Sequence, residues 1–117
     1  MSAQLKPRTK FFALRLLKRI AVSPKTTEGR ISAGQIGRSV AAVGANYRAS
    51  CRARSRGEFI AKIGVVEEEA AETAFGLELV AESGTLPASK IDPWHAEAVE
   101  LTAIVASSRI TDARNKR

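Results

Sequence analysis

Few residues in this chain are of the types that carry bond-making chemistry. His95 is the only histidine, so a histidine-rich metal site is excluded, and general-base work would need an orienting group and an oxyanion donor that no nearby motif displays. Beside Pro93 and Trp94 it reads as structural. Cys51 is the only cysteine and cannot close an intrachain disulfide. Its place after Val43 and Tyr47 on an apolar stripe predicts burial as a small hydrophobe. The run Glu67, Glu68, Glu69 and Glu72 has the residue type of di-iron bundle ligands, but those sites also need Glu-x-x-His pairs, and none occurs here. It reads as a solvated or interface face. No metal, cofactor or small-molecule substrate is expected, nor any enzymatic activity.

The densest polar cluster is basic: Arg48, Arg52, Arg54 and Arg56, with Arg38 and Lys62 on the adjoining helices. Guanidinium groups grip phosphate oxygens through paired hydrogen bonds, and a helix start supplies backbone donors beside them. RNA or DNA is the partner this chemistry suits. Aromatic residues are scarce and sit mostly on core stripes, so base stacking on single strands is not indicated. A second reading stays open: Arg38 and Arg52 answer the Glu68 to Glu72 run across helices or between subunits, and the remaining cations are solvated.

The charge distribution bears on both readings. Through Val66 there are 14 Lys or Arg against 2 Glu, whereas the remainder has 5 against 10 acids, so the halves have opposite sign. Such asymmetry draws nucleic acid to one half or drives self-assembly.

Four helices must position these groups. The first spans about 7–22, with Phe12, Leu16 and Ile20 at four-residue spacing, and Ser23-Pro24 ends it. The second, about 30–52 after a connector to Gly29, carries Ile36, Val40, Val43, Tyr47 and Cys51 on one stripe. Its neighbouring stripe of Gly34, Gly37, Ala41 and Gly44 predicts a close helix approach. The third, about 56–83, opens on Ser55 with Glu58 three residues on, a capping pair, and stops at Ser83-Gly84. Its core stripe is Phe59, Ile63, Val66, Ala70, Leu77 and Val80. Val65, Phe75 and Leu79 form a second apolar strip flanked by Glu68 and Glu72. That predicts an oligomer interface of Phe75, Leu79, Glu68 and Glu72. The fourth, about 93–111, starts with Asp92 as cap and Pro93 in the first position; Asp112 to Arg117 is expected to fray.

The expectation is an all-α, up-down four-helix bundle in one domain of 117 residues. The basic and apolar start, Lys6 to Ile20, mimics an export signal, but Arg15, Lys18 and Arg19 interrupt it, and no apolar run reaches membrane-spanning length. With one cysteine, a reducing cytoplasm is the expected compartment.

Four stretches carry a family resemblance: Gln35-Ile36-Gly37-Arg38-Ser39, Val43-Gly44-Ala45-Asn46-Tyr47-Arg48, Cys51-Arg52-Ala53-Arg54-Ser55-Arg56-Gly57-Glu58-Phe59 and Val66-Glu67-Glu68-Glu69-Ala70. Together they closely resemble the bacterial four-helix-bundle protein family, known also for members encoded within intervening sequences of 23S ribosomal RNA genes. The resemblance runs from the first helix through Leu86 and weakens across the last helix. It implies a ring oligomer, commonly a homopentamer, without established enzymatic activity. The accessory proteins of diversity-generating retroelements, basic rings that engage a reverse transcriptase and nucleic acid, look similar, so nucleic-acid binding follows by analogy. Arg38, Asn46, Arg54, Ser55, Glu58, Phe59 and Glu72 fall on the family pattern, which implies structural roles near helix contacts. Gly76 departs from it, standing where a bulky aromatic is common.

Overall fold

A computed structural model describes residues 2–114, with the side chains of 4–114. Four helices account for nearly all of them: α1 (Ser2–Ile20), α2 (Thr27–Cys51), α3 (Arg56–Glu82) and α4 (Ala88–Arg114), with no strand among the described residues.

The helix ends show which local signals decided and which were overridden. The α1 helix begins before Pro7, because Leu5 must lie on the helix to be buried with Phe12, Leu16 and Ile20. It stops at Ile20, two residues short of the expected end, where the Val22 and Ser23 N–H groups reach back only three residues, to Arg19 and Ile20. The α2 helix starts at Thr27, three residues early, since the Thr26 hydroxyl accepts from Gly29 N at 3.0 Å and caps it. Gly29 sits against the Pro24 carbonyl, where a Cβ would overlap the oxygen.

Expectation and structure agree best at α3. Ser55 accepts from Glu58 N at 3.0 Å, and the Glu58 carboxylate accepts from Arg54 N at 3.0 Å, pinning the connector from both sides. At the other end Gly84 takes φ +77°, the left-handed stop, and Thr85 N bonds back to the Val80 carbonyl. The Asp92 cap is wrong. The α4 helix starts at Ala88, and Pro93 lies inside it. Locally the Asp-Pro pair suits a helix start, but Ile91 is a core residue and reaches the core as part of the helix. The proline there forfeits one backbone bond, to the Ser89 carbonyl. The helix continues through Asp112 to Arg114, so the expected fraying there is not seen; residues 115–117 lie outside the described residues.

One core joins all four helices: Phe12 and Leu16 from α1, Ile36, Val40 and Val43 from α2, Ile63, Val66 and Leu77 from α3, Ala98, Leu101 and Val105 from α4. The α1 and α2 backbones approach at the small-residue stripe, where a Cβ on Gly44 would lie 3.7 Å from the Thr9 carbonyl oxygen. Gly37 faces the side chains of Leu17 and Ile20, while Gly34 faces open space. Ser39 and Thr73 form a buried hydroxyl pair at 2.8 Å between α2 and α3. Thr73 donates to the Glu69 carbonyl at 2.9 Å, so the buried groups are satisfied and the register of the two helices is set. Between α1 and α4, Arg8 clamps Glu97 through two bonds of 2.8 Å, and Phe12 stacks on Trp94 with ring centroids 6.5 Å apart. The Glu97 hydrogen bond raises the Arg8 pKa above its ordinary value, with Glu100 adding to it against partial desolvation.

Gly76 explains itself in this packing. Ile36 of α2 fills the space its side chain would take, so a Cβ there would lie 2.9 Å from Ile36 Cγ1. Gly76→Val should therefore destabilise the fold by about 2 kcal/mol through overpacking, offset by only a few tenths from better helix propensity. Chemical denaturation would register this as a lower midpoint at unchanged slope.

Candidate nucleic-acid interface

The connector between α2 and α3 carries the cluster. The last inward turn of α2 ends with Ser50, buried and donating to the Tyr47 carbonyl at 2.6 Å. Cys51 is exposed, contrary to the burial expected for it. At 3.6 residues per turn the stripe that descends through Val43 and Tyr47 reaches residue 50 next, which carries Cys51 past the core edge. Arg52 caps the helix through its own N–H, shared between the Ala49 and Ser50 carbonyls, and its side chain projects outward. Four residues later α3 has begun. Arg52, Arg54 and Arg56 thus leave a short segment held by backbone bonds at both ends, an arrangement that lowers the entropy lost on gripping a ligand.

Arg48, Arg52 and Arg54 are exposed, and none forms an ion pair among the described residues. Arg56 is exposed as well, and Lys62 is half-buried one and a half turns further along α3. The start of α3 adds the positive end of its dipole to this corner. Arg38 does not join them. It lies 14 residues before Arg52 on the same helix, about 21 Å away. Its guanidinium is held by Glu72 at 2.7 Å and Glu69 at 3.3 Å. That removes Arg38 from the cluster: its charge is met within the chain, across the α2 to α3 contact.

The acidic run is divided by helical geometry. Glu67 points to α4 and binds Arg109 Nε at 2.7 Å, which raises the Arg109 pKa. Glu69 and Glu72 point to α2 and Arg38. Glu68 faces solvent between them. Arg52 answers none of these; the second cation is Arg109, which residue spacing did not suggest. His95 binds Glu78 at 2.7 Å and ties α4 to α3. Phe75 and Leu79 are 60% and 50% exposed. Asn46 donates to the Ala42 carbonyl one turn back, at 2.9 Å.

One contributor was missed in sequence. Where α1 touches Gly44, it brings Lys10 beside Arg48, and the two line one groove with Leu14, Leu17, Ala41 and Ala45. The signal was present in the small-residue stripe of α2, which had to receive some helix, but nothing local specified which.

No helix among the described residues is long and apolar enough to cross a membrane. No family model matches the chain, nor does any curated protein. Among solved structures, it is similar to a protein of unknown function from the S23 ribosomal protein family of Bacteroides thetaiotaomicron VPI-5482. The TM-score is 0.79 at 28% identity, over 89% of this chain and 96% of that one. The similarity spans most of both chains and supports a shared four-helix architecture.

Proposed function

We propose that this chain is a non-enzymatic bundle of four helices alternating up and down, assembled into a ring. It binds RNA or DNA phosphates through the corner built by Arg48, Arg52, Arg54, Arg56 and Lys62. One contrast carries the reading. Arg8, Arg38 and Arg109, which lie over acidic residues, are each engaged by carboxylates, whereas Arg48, Arg52 and Arg54 at the α2 to α3 corner meet none among the described residues. Cations left uncompensated on a pinned connector suit an anionic ligand from outside the fold.

The alternation of direction is supported by which residues meet across the helices. Gly37 meets Leu17 while Gly44 meets Thr9; Glu67 meets Arg109 while Glu78 meets His95. A ring would repeat each weak phosphate contact and raise affinity through avidity. The ribosomal name belongs to the similar structure alone, yet it makes structured RNA the first ligand to try. A reducing cytoplasm fits Cys51, a lone exposed thiol.

The test is equilibrium binding of nuclease-treated protein to labelled structured RNA, duplex DNA and single-stranded DNA across a salt series. With four to five phosphate contacts per chain, log K should fall against log salt with a slope of about −3 to −4. An absence of binding at the lowest salt would overturn the reading and leave the charge asymmetry to self-assembly.

A further inference from the structure

The outer face of α3 has a regularity that the core does not require. Val65, Glu68, Glu72, Phe75, Leu79 and Glu82 are all exposed and recur at spacings of three, four, three, four and three. This is heptad spacing, apolar at Val65, Phe75 and Leu79 and acidic at Glu68, Glu72 and Glu82, and the seam stays exposed beside α2, whose Arg38 meets Glu72. Two large apolar side chains lie beside acidic ones.

On the other side of α2, toward α1, lies a surface with the complementary character. The helices neighbour one another in the order α1, α2, α3, α4, and α4 returns to α1 through Arg8–Glu97, so α1 and α3 occupy opposite corners. The outward groove between α1 and α2, about 210 Å³, is lined by Leu14, Leu17, Ala41 and Ala45, with Lys10 and Arg48 at one end. Ala41 and Ala45 keep its α2 wall low, so another helix can approach closely. These residues are exposed, and α1 carries no acidic residue at all.

The two surfaces match in length as well as sign. Lys10 to Leu17, Ala41 to Arg48 and Glu68 to Phe75 are each one heptad, about 10.5 Å along a helix. With Glu68 at the Lys10 and Arg48 end, Phe75 falls over Leu14 and Leu17, and the small side chains of α2 leave room for its ring.

We infer that the α1/α2 groove receives the α3 seam of a second copy of this chain. The inference deepens the proposed function, resting on its oligomeric part and identifying both surfaces of the contact. Because the two surfaces differ, the contact is head-to-tail and each chain offers one of each; repeated, it closes into a ring or extends into a filament. It places the neighbouring copy's Glu68 beside Lys10 and Arg48, at the edge of the phosphate-binding corner.

Light scattering tests it with two variants at exposed positions, whose helical content is checked by circular dichroism. The wild type should scatter as a particle several times the 12.6 kDa chain mass. Leu14→Asp, with a spoiled groove, and Phe75→Asp, with a spoiled seam, should each fall to the single-chain mass. Their equimolar mixture should form two-chain particles, because the intact seam of the first fits the intact groove of the second. A wild type of single-chain mass, a variant that keeps the wild-type mass, or a mixture that stays as single chains would each overturn the inference. Anionic phospholipid vesicles provide the counter-test. A single-chain wild type that sediments with them, with Leu14→Asp losing this and Phe75→Asp keeping it, would assign the groove to a lipid surface instead. Salt-dependent RNA binding measured on the same samples separates the two proposals, since it can fail while the masses behave as expected, or persist in the single-chain variants.

Discussion

Replacing Arg52, Arg54 and Arg56 together by alanine is expected to weaken RNA binding about a hundredfold at low salt, at roughly 1 kcal/mol for each arginine–phosphate hydrogen bond removed. The slope of log K against log salt should flatten by about 2 to 3, since each arginine that neutralises a phosphate releases counterions on binding. The helical circular dichroism should not change, because all three side chains project from the surface of the connector and the first position of α3. Arg38→Ala is the matched control. It removes the same charge as any one of the three connector substitutions, but that charge already faces Glu69 and Glu72, so binding and its slope should move little. Equal losses from the control and from any single connector arginine would mean that net charge alone draws the nucleic acid, and the corner would have no special role.

The second large effect concerns stability. Leu16→Ala should destabilise the fold by about 3 kcal/mol, the transfer loss of a fully buried leucine plus the cavity it leaves. Against a total of about 5–15 kcal/mol for a domain, this would lower the melting temperature by on the order of 10 °C. Leu16 lies about one turn from the C-terminal end of α1, the helix that brings Lys10 to the basic corner and forms one wall of the outward groove. Val99→Ala, at a half-exposed position on α4, should stay within about 0.5 kcal/mol and serves as the comparison. Thermal unfolding followed at 222 nm would read both. A small loss at Leu16 would mean that α1 docks loosely and that the core is closed by the other three helices.

The two ends of α3 were legible in the residues themselves. Ser55 with Glu58, and Gly84 after Ser83, act through bonds between residues three to five apart, so the short-range sequence contains both partners. The inward faces of all four helices could be read as well, because burying one stripe imposes the same 3.6-residue period on the sequence as on the backbone. Where the reading slipped, it was by accumulated phase or by a competing local signal. Cys51 was one residue out of step with Ser50, which takes the last buried turn of α2. The Asp92-Pro93 pair is a sound helix start in isolation, and burial of Ile91 outweighed it.

The residue pattern alone specified the set of helices, their inward faces and the excess of arginine near the α2 to α3 turn. Which charges remain available was settled by how the helices pack. Arg38 and Glu72 are 34 residues apart, Arg109 and Glu67 are 42 apart, and Arg8 and Glu97 are 89 apart. No local pattern links such partners. Their pairing depends on which helices pack side by side and in what register, and that was set by Gly44 beneath α1, the Ser39–Thr73 hydroxyl pair and the fit of Ile36 over Gly76. Charge is a property of a residue, but compensation is a property of a distance, and distances across the fold exist only once the core has closed.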